Sequence, residues 1–252
     1  MTDSIIFHIP HSSKNIPEDI RRQFILSDQE LDKELLLMTD LFIDDLFSPT
    51  NENNIALIYP VSRIVVDPER FVDDSLESMS KKGMGVIYTK TSHGKNLRST
   101  ISDQERRLLI NSFYHWHHNK LLNVVKSRLQ KNGTALIIDC HSFPAIPLQY
   151  ELNQSSDRPD ICIGTDDFHT PEALTNKFVK LFKERGYSIA INRPFNGSLV
   201  PGIYYQKDKN VQSIMIELNR RLYMEERTGE KSSGYDKVKS DLEWVIDTGH
   251  FI

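Results

Sequence analysis

An α/β fold with a mixed, largely parallel central sheet is the architecture this chain predicts, on two observations. Strand-like and helix-like segments alternate along the sequence, the pattern of layered α/β proteins. Three β-forming apolar runs, at 5–9, 135–138 and 214–216, each close on a polar cluster: Pro10-His11-Ser12, Asp139-Cys140-His141-Ser142 and Glu217-Leu218-Asn219-Arg220. Carboxyl ends of parallel strands in an open α/β sheet point into one crevice, where ligands bind. Two His and one Glu are therefore expected to meet there.

The elements follow in order. The first strand spans about 4–9. Ser27-Asp28-Gln29-Glu30 has capping-box spacing and opens a helical stretch carrying Leu31, Leu35, Met38, Phe42 and Leu46, with Asp40 in or beside it. Short strands are expected at 55–59 and 62–67, the second ending in Asp67-Pro68-Glu69-Arg70, where proline would interrupt a central ladder. Residues 71–99 hold Gly83, Gly85 and Gly94 among many polar residues, which predicts a long functional loop with a brief hairpin around Val86-Ile87-Tyr88. A long helix over 101–130 stops at Asn132-Gly133 and leads into a strand at 134–140. Another strand falls at 160–164, and Thr170-Pro171 caps a helix running to about 185, which Gly186 ends. A strand at 187–191 leads into the turn-rich loop 192–197, 211–217 is the last core strand, and a terminal helix at 234–247 presents Val238, Leu242, Val245 and Ile246 on one face.

The 252 residues, 38% of them hydrophobic, suffice for one sizeable core, so a single domain over 1–252 is expected. A formal net charge of −4 and a pI near 6.1 give no footprint for nucleic acid. No apolar run approaches the roughly 20 residues that span a bilayer. Two cysteines, Cys140 and Cys162, and a first segment without a basic leader or apolar stretch read as a soluble cytoplasmic protein with reduced thiols. Nothing in the sequence sets an oligomeric state.

His11 stands just beyond a buried strand, where a metal or substrate could be reached from the crevice; the plain alternative is a loop histidine. His8 lies in the strand itself and reads as a core or supporting residue. Pro10 between them excludes the helical His-Glu-x-x-His arrangement, and neither Ser-x-x-Lys at Ser12-Ser13-Lys14 nor Gly-x-Ser-x-Gly occurs. Asp139 and His141 close an apolar strand, where burying them without partners would be costly, so a functional cluster is expected. Alternation points Cys140 the other way, towards inert burial. Glu217 ends its strand as a candidate general base beside a metal-bound water, against the alternative of a salt bridge to Arg220 or Arg221. His115, His117 and His118 read as a polar helix face rather than a second metal site, and His93, His169 and His250 stay unassigned.

These residues, taken in order, resemble the N-formylglutamate amidohydrolases. The likeness rests on Pro10-His11-Ser12-Ser13, Thr39-Asp40, Ser62-Arg63-Ile64-Val65-Val66-Asp67 with Arg70, Asp139-Cys140-His141-Ser142-Phe143-Pro144, Pro159-Asp160-Ile161, 192–197 and 216–224. It implies a zinc-exopeptidase-like (phosphorylase/hydrolase-like) three-layer fold, and a zinc held by two His and one carboxylate. On this resemblance His11, Asp40 and His141 are the ligands, with Glu69 or Asp67 as the replacement for Asp40. Glu217 is the catalytic residue. Arg63 and Arg70 bind a substrate carboxylate, Asn192 closes over the substrate, and Arg220 supports Glu217. Where the family more often shows Asp-Leu-Asn-Arg, this chain has Asp67-Pro68-Glu69-Arg70, which adds a negative charge near the site. The expected activity is zinc-dependent hydrolysis of a linear amide in a small N-acyl amino acid such as N-formylglutamate. A peptide or cell-wall amide is the second enzyme reading, and a metal-free module binding an acidic metabolite is the reading of a different class. Neither nucleic acid nor membrane is an expected partner.

Overall fold

The computed structural model describes residues 4–251. Six strands form one sheet: β1 (Ile5–Ile9), β2 (Ile55–Ile58), β3 (Ala135–Phe143), β4 (Ile161–Gly164), β5 (Ile189–Ile191) and β6 (Val211–Asn219). Their spatial order is β2-β1-β3-β6-β4-β5. All neighbours run parallel except β4, which is antiparallel to β6. The mixed, largely parallel sheet of the sequence reading is thus present.

Alternation along the central strands sends side chains to two buried faces, and helices cover both. On one face Ile5, Phe7, Leu136, Ile138, Cys140, Ile214 and Ile216 pack against α6 (Glu172–Glu184) and α7 (Tyr235–Gly249) through Phe178, Leu181, Val238 and Val245. On the other, Ile6, Ala135, Ile137 and Val211 meet Leu121 and Val125 of α5 (Trp116–Asn132). Beside the sheet a second core gathers Ile20 of α1 (Glu18–Arg21), Leu31, Leu35 and Met38 of α2 (Asp28–Met38), the segment 59–66, residues 84–97, and Leu109 at the end of α4 (Asp103–Leu109). Among the described residues no helix is long and apolar enough to cross a membrane.

Four local expectations change. The helix expected from Ser27 to Leu46 breaks after Met38, and a separate turn, α3 (Ile43–Leu46), follows. The break has a cause: Arg220 donates Nη1 to the Leu37 carbonyl, and the Asp40 amide donates to His11 instead of continuing the helix. Residues 62–67 form a turn rather than a strand, because the buried Arg98 guanidinium takes the Ile64 and Val65 carbonyls that a ladder would need. The hairpin around Val86 reduces to a single bridge between Met84 and Tyr88. The long helix is interrupted by a π-helical turn at Ile110–His115, which joins α4 to α5 and shifts the phase of everything after it.

β3 runs three residues and β6 two residues past the ends expected from the sequence, and they pair throughout. The register sets His141 against Glu217 and Phe143 against Asn219. Across the neighbouring pair His8 lies opposite Asp139. The sheet therefore brings His8, Asp139, His141 and Glu217 to one place before any loop contributes.

Candidate metal centre and active site

Three side chains converge above the carboxyl ends of β1 and β3. His11 follows β1, His141 lies in β3, and Asp40 sits in the break after α2. Nδ1 of His11 and Nδ1 of His141 are 3.2 Å apart, and Asp40 Oδ2 lies 3.4 Å from the second and 3.8 Å from the first. A tetrahedral zinc with bonds of about 2.0–2.1 Å separates its ligand atoms by about 3.4 Å. Asp40 Oδ2 is buried and has no hydrogen-bond partner among the described residues. An orphaned carboxylate oxygen facing two imidazole nitrogens suits a cation.

The outer nitrogens of both rings face carboxylates. His11 Nε2 lies 2.8 Å from Asp67 Oδ1. Asp67 also accepts from Arg63 at 2.8 Å, from the Tyr88 hydroxyl at 2.7 Å and from the Glu69 amide at 2.9 Å. His141 Nε2 faces Glu69 Oε2 at 3.1 Å and Asp139 Oδ1 at 3.2 Å. Carboxylates on the far nitrogen orient a ligating imidazole and raise its basicity. The two replacement ligands named from the sequence, Asp67 and Glu69, thus both face the ε nitrogens. Glu69 still offers an oxygen that, with His11 and His141, makes a group compact enough for a metal, and His8, Glu69 and Asp139 make another.

Electrostatics follow the same division. Burial would raise the Asp67 carboxyl, yet Arg63, His11 and Arg70 hold it well below the usual carboxylate range. Asp40 is also buried and also depressed, by His141 and Arg220. His11 is lowered by burial and Arg63 against the pull of Asp67, which favours neutral imidazole. His141 is lifted well above its ordinary value, because Glu69, Asp139 and Asp40 outweigh burial. Glu217 is pushed up to about 8 by burial, with Asp40 and Glu69 adding to it against the attraction of His141, and its Oε2 has no partner among the described residues.

The site opens into a cavity of about 510 Å³ lined by His11, Asp40, His141, Glu217, Arg63, Arg70 and Arg220, with Tyr150, Phe195 and Asn196 on its walls. The three arginines stand differently. Arg63 is engaged by Asp67 and Tyr88. Arg220 donates to Asp40 at 2.9 Å, to Ser142 at 3.2 Å and to the Leu37 carbonyl, so it holds Asp40 rather than Glu217. Arg70 faces Asp67 only at 3.9 Å, and its buried Nε has no hydrogen-bond partner among the described residues.

Seven of the eight site residues expected from the sequence line this one cavity. Asn192 does not. It adopts a left-handed turn with φ of 54°, and its amide closes on Thr165 at 2.8 Å. Asn196 from the same loop lines the cavity instead. The residue that the sequence reading missed is His117. Taken as part of a polar helix face, it is fully buried, with Nε2 2.8 Å from His8 Nε2. Its signal is hidden because the π turn resets which face of α5 is buried.

The N-formylglutamate amidohydrolase family profile matches residues 3–224. A search of curated proteins returned no match. Among solved structures, an N-formylglutamate amidohydrolase from Ralstonia eutropha JMP134 is similar with a TM-score of 0.84 and 24% identity, over 98% of this chain and 92% of that one. The gene product Atu2144 from Agrobacterium tumefaciens is similar with a TM-score of 0.65 and 14% identity, over 98% of this chain and 88% of that one. With its profile match spanning both histidines, the strand-end glutamate and the arginines between them, the chain belongs to the N-formylglutamate amidohydrolase family.

Proposed function

We propose that this protein is a zinc-dependent amidohydrolase that cleaves the linear amide of a small N-acyl amino acid such as N-formylglutamate. One observation carries the metal part of this reading: Nδ1 of His11, Nδ1 of His141 and the orphaned Asp40 Oδ2 lie 3.2–3.8 Å apart. Two imidazoles and one carboxylate, with room for a fourth ligand from the cavity, form the donor set of catalytic zinc. A bound zinc would polarise the acyl carbonyl and make water acidic enough to attack near neutral pH.

The remaining roles belong to the chain. Glu217, beside His141 in the sheet register, accepts the proton of the attacking water and hands it to the departing nitrogen. Burial raises its pKa to about 8 without metal, and a nearby dication would bring that value down towards neutrality. Arg70 has donors to spare and receives the substrate carboxylate, with Arg63 beside it fixing the wall. Arg220 keeps Asp40 in place through the oxygen that faces away from the histidines.

The test is metal content together with N-formylglutamate hydrolysis on the same samples of native protein and its His11→Ala and His141→Ala variants. Near-stoichiometric zinc in the native protein alone, with activity, supports the reading. Zinc without activity on any N-formyl, N-succinyl or short peptide substrate sinks its substrate part. A native protein that binds no zinc sinks the whole.

A further inference from the structure

Behind His141 a chain of side chains runs into the interior. Asp139 Oδ1 lies between His141 Nε2 and His8 Nδ1, the second contact being 2.7 Å, while Asp139 Oδ2 accepts the Leu199 amide. His8 Nε2 in turn meets His117 Nε2. His8 and His117 are both fully buried. At the end of the chain His117 Nδ1 is buried with no hydrogen-bond partner among the described residues.

That orphaned atom gives the chain a direction. A bare ring nitrogen without a partner is cheaper to bury than an N–H without an acceptor, so the hydrogen of His117 resides on Nε2. Burial pushes His117 down to about 2, so it is neutral and carries one hydrogen only. Its Nε2–H then donates to His8 Nε2, leaving the His8 hydrogen on Nδ1, where it donates to Asp139. Asp139 Oδ1 keeps acceptor capacity towards His141 Nε2, 3.2 Å away, so once His141 gives up its second proton to a metal its lone pair falls on Nδ1, facing His11 and Asp40.

We propose that His117 is a positioning residue that sets, through His8 and Asp139, the tautomer and orientation of His141. This rests on the reading of His141 as a metal ligand given above. α5 serves the same ring a second time: His118 lies 2.7 Å from the Pro68 carbonyl and pins the turn that carries Glu69. The π turn before His117 is what aims both histidines at the site. A second ion at His8, Glu69 and Asp139 would need a lone pair on His8 Nδ1, where this chain of bonds places a hydrogen.

The inference is tested on the full-length protein by nitrogen-detected NMR of histidine tautomers, metal-free and zinc-loaded, and by zinc titration of native, His117→Phe and His117→Gln proteins. His8 is expected to carry its hydrogen on Nδ1 and His117 on Nε2. His117→Phe is expected to bind zinc about 10–100-fold more weakly, and His117→Gln, whose amide can still donate, to recover most of that loss. A His8 hydrogen on Nε2, or native zinc affinity in a folded His117→Phe protein, overturns the role. So does a second bound equivalent of zinc that Glu69→Gln abolishes. If native protein binds no zinc, the proposed function fails, while the tautomers of the metal-free protein still decide the role of His117. They decide it equally if His117→Phe does not fold.

Discussion

The two sides of β3 share a backbone and differ in everything else. Leu136, Ile138 and Cys140 face α6 and α7 in a dry, apolar core. Ala135 and Ile137 begin the other side against α5, and then Asp139 and His141 turn it polar at the carboxyl end. On the first side burial is its own reward, through the hydrophobic effect. On the second, buried charge is tolerable only where every group finds a partner, and the groups left over mark the chemistry. Asp40 Oδ2, Glu217 Oε2 and Arg70 Nε are all buried without a hydrogen-bond partner among the described residues, and all three residues line the cavity.

Substitutions on the two sides should therefore fail differently. Glu217→Gln is expected to lower kcat about 10³-fold, roughly 4 kcal/mol in the barrier, with zinc content and melting temperature nearly unchanged. Equal kcat in mutant and native protein would remove Glu217 from the mechanism. Ile138→Ala on the apolar side should do the reverse, costing about 3 kcal/mol of stability in denaturant unfolding while the folded fraction keeps its kcat. A catalytic loss without a stability loss would contradict the division between the sides. Arg70→Ala should raise KM for an acidic substrate about 30-fold, near 2 kcal/mol, with Arg70→Lys recovering little because the fork is lost.

Smaller effects sharpen the contrast through pH. Glu69, Asp139 and Asp40 raise the pKa of His141 and favour its protonated form in the metal-free protein, so zinc must compete with that proton. Apparent zinc affinity should rise about tenfold per pH unit below that pKa, as read from titrations at several pH values; a flat profile would contradict it. Far from the site, Asp241 on α7 is buried and accepts from Arg185 at 2.6 Å and from Tyr187 at 2.7 Å. Burial raises its pKa, yet Lys237, Tyr187 and Arg185 leave it depressed. A depressed carboxylate stabilises above its unfolded pKa, and that stability disappears as pH falls through the folded value. Asp241→Asn should cost about 1–2 kcal/mol near neutrality and progressively less below about pH 4. A difference that persists at pH 2 would assign it to packing instead.

What the sequence made legible follows the sheet. His11, His141 and Glu217 could be found because each closes an apolar strand, and strand ends in this architecture share one crevice. Asp40 had no such marker: it sits in a helix break caused by Arg220, 180 residues away in the chain, and only the family resemblance pointed to it. The 62–67 segment has the composition of a strand, but Arg98 takes its carbonyls, a contact invisible to local pattern. Arg63 and Arg70 were legible as a pair of cations, whereas their unequal engagement depended on where Asp67 and Tyr88 fell.

The π turn has one more consequence. Each residue advances an α-helix by about 100°, so deleting one residue from 110–115 would let α4 and α5 fuse into a continuous α-helix with the two ends rotated against each other by that angle. Leu109 is packed in the second core and Leu121 and Val125 in the sheet, so both ends could not keep their seats. The extra residue acts as a phase adjuster between two bodies of the protein, and a single-codon loss there would uncouple the fold from its site while leaving every residue that lines the cavity in the gene.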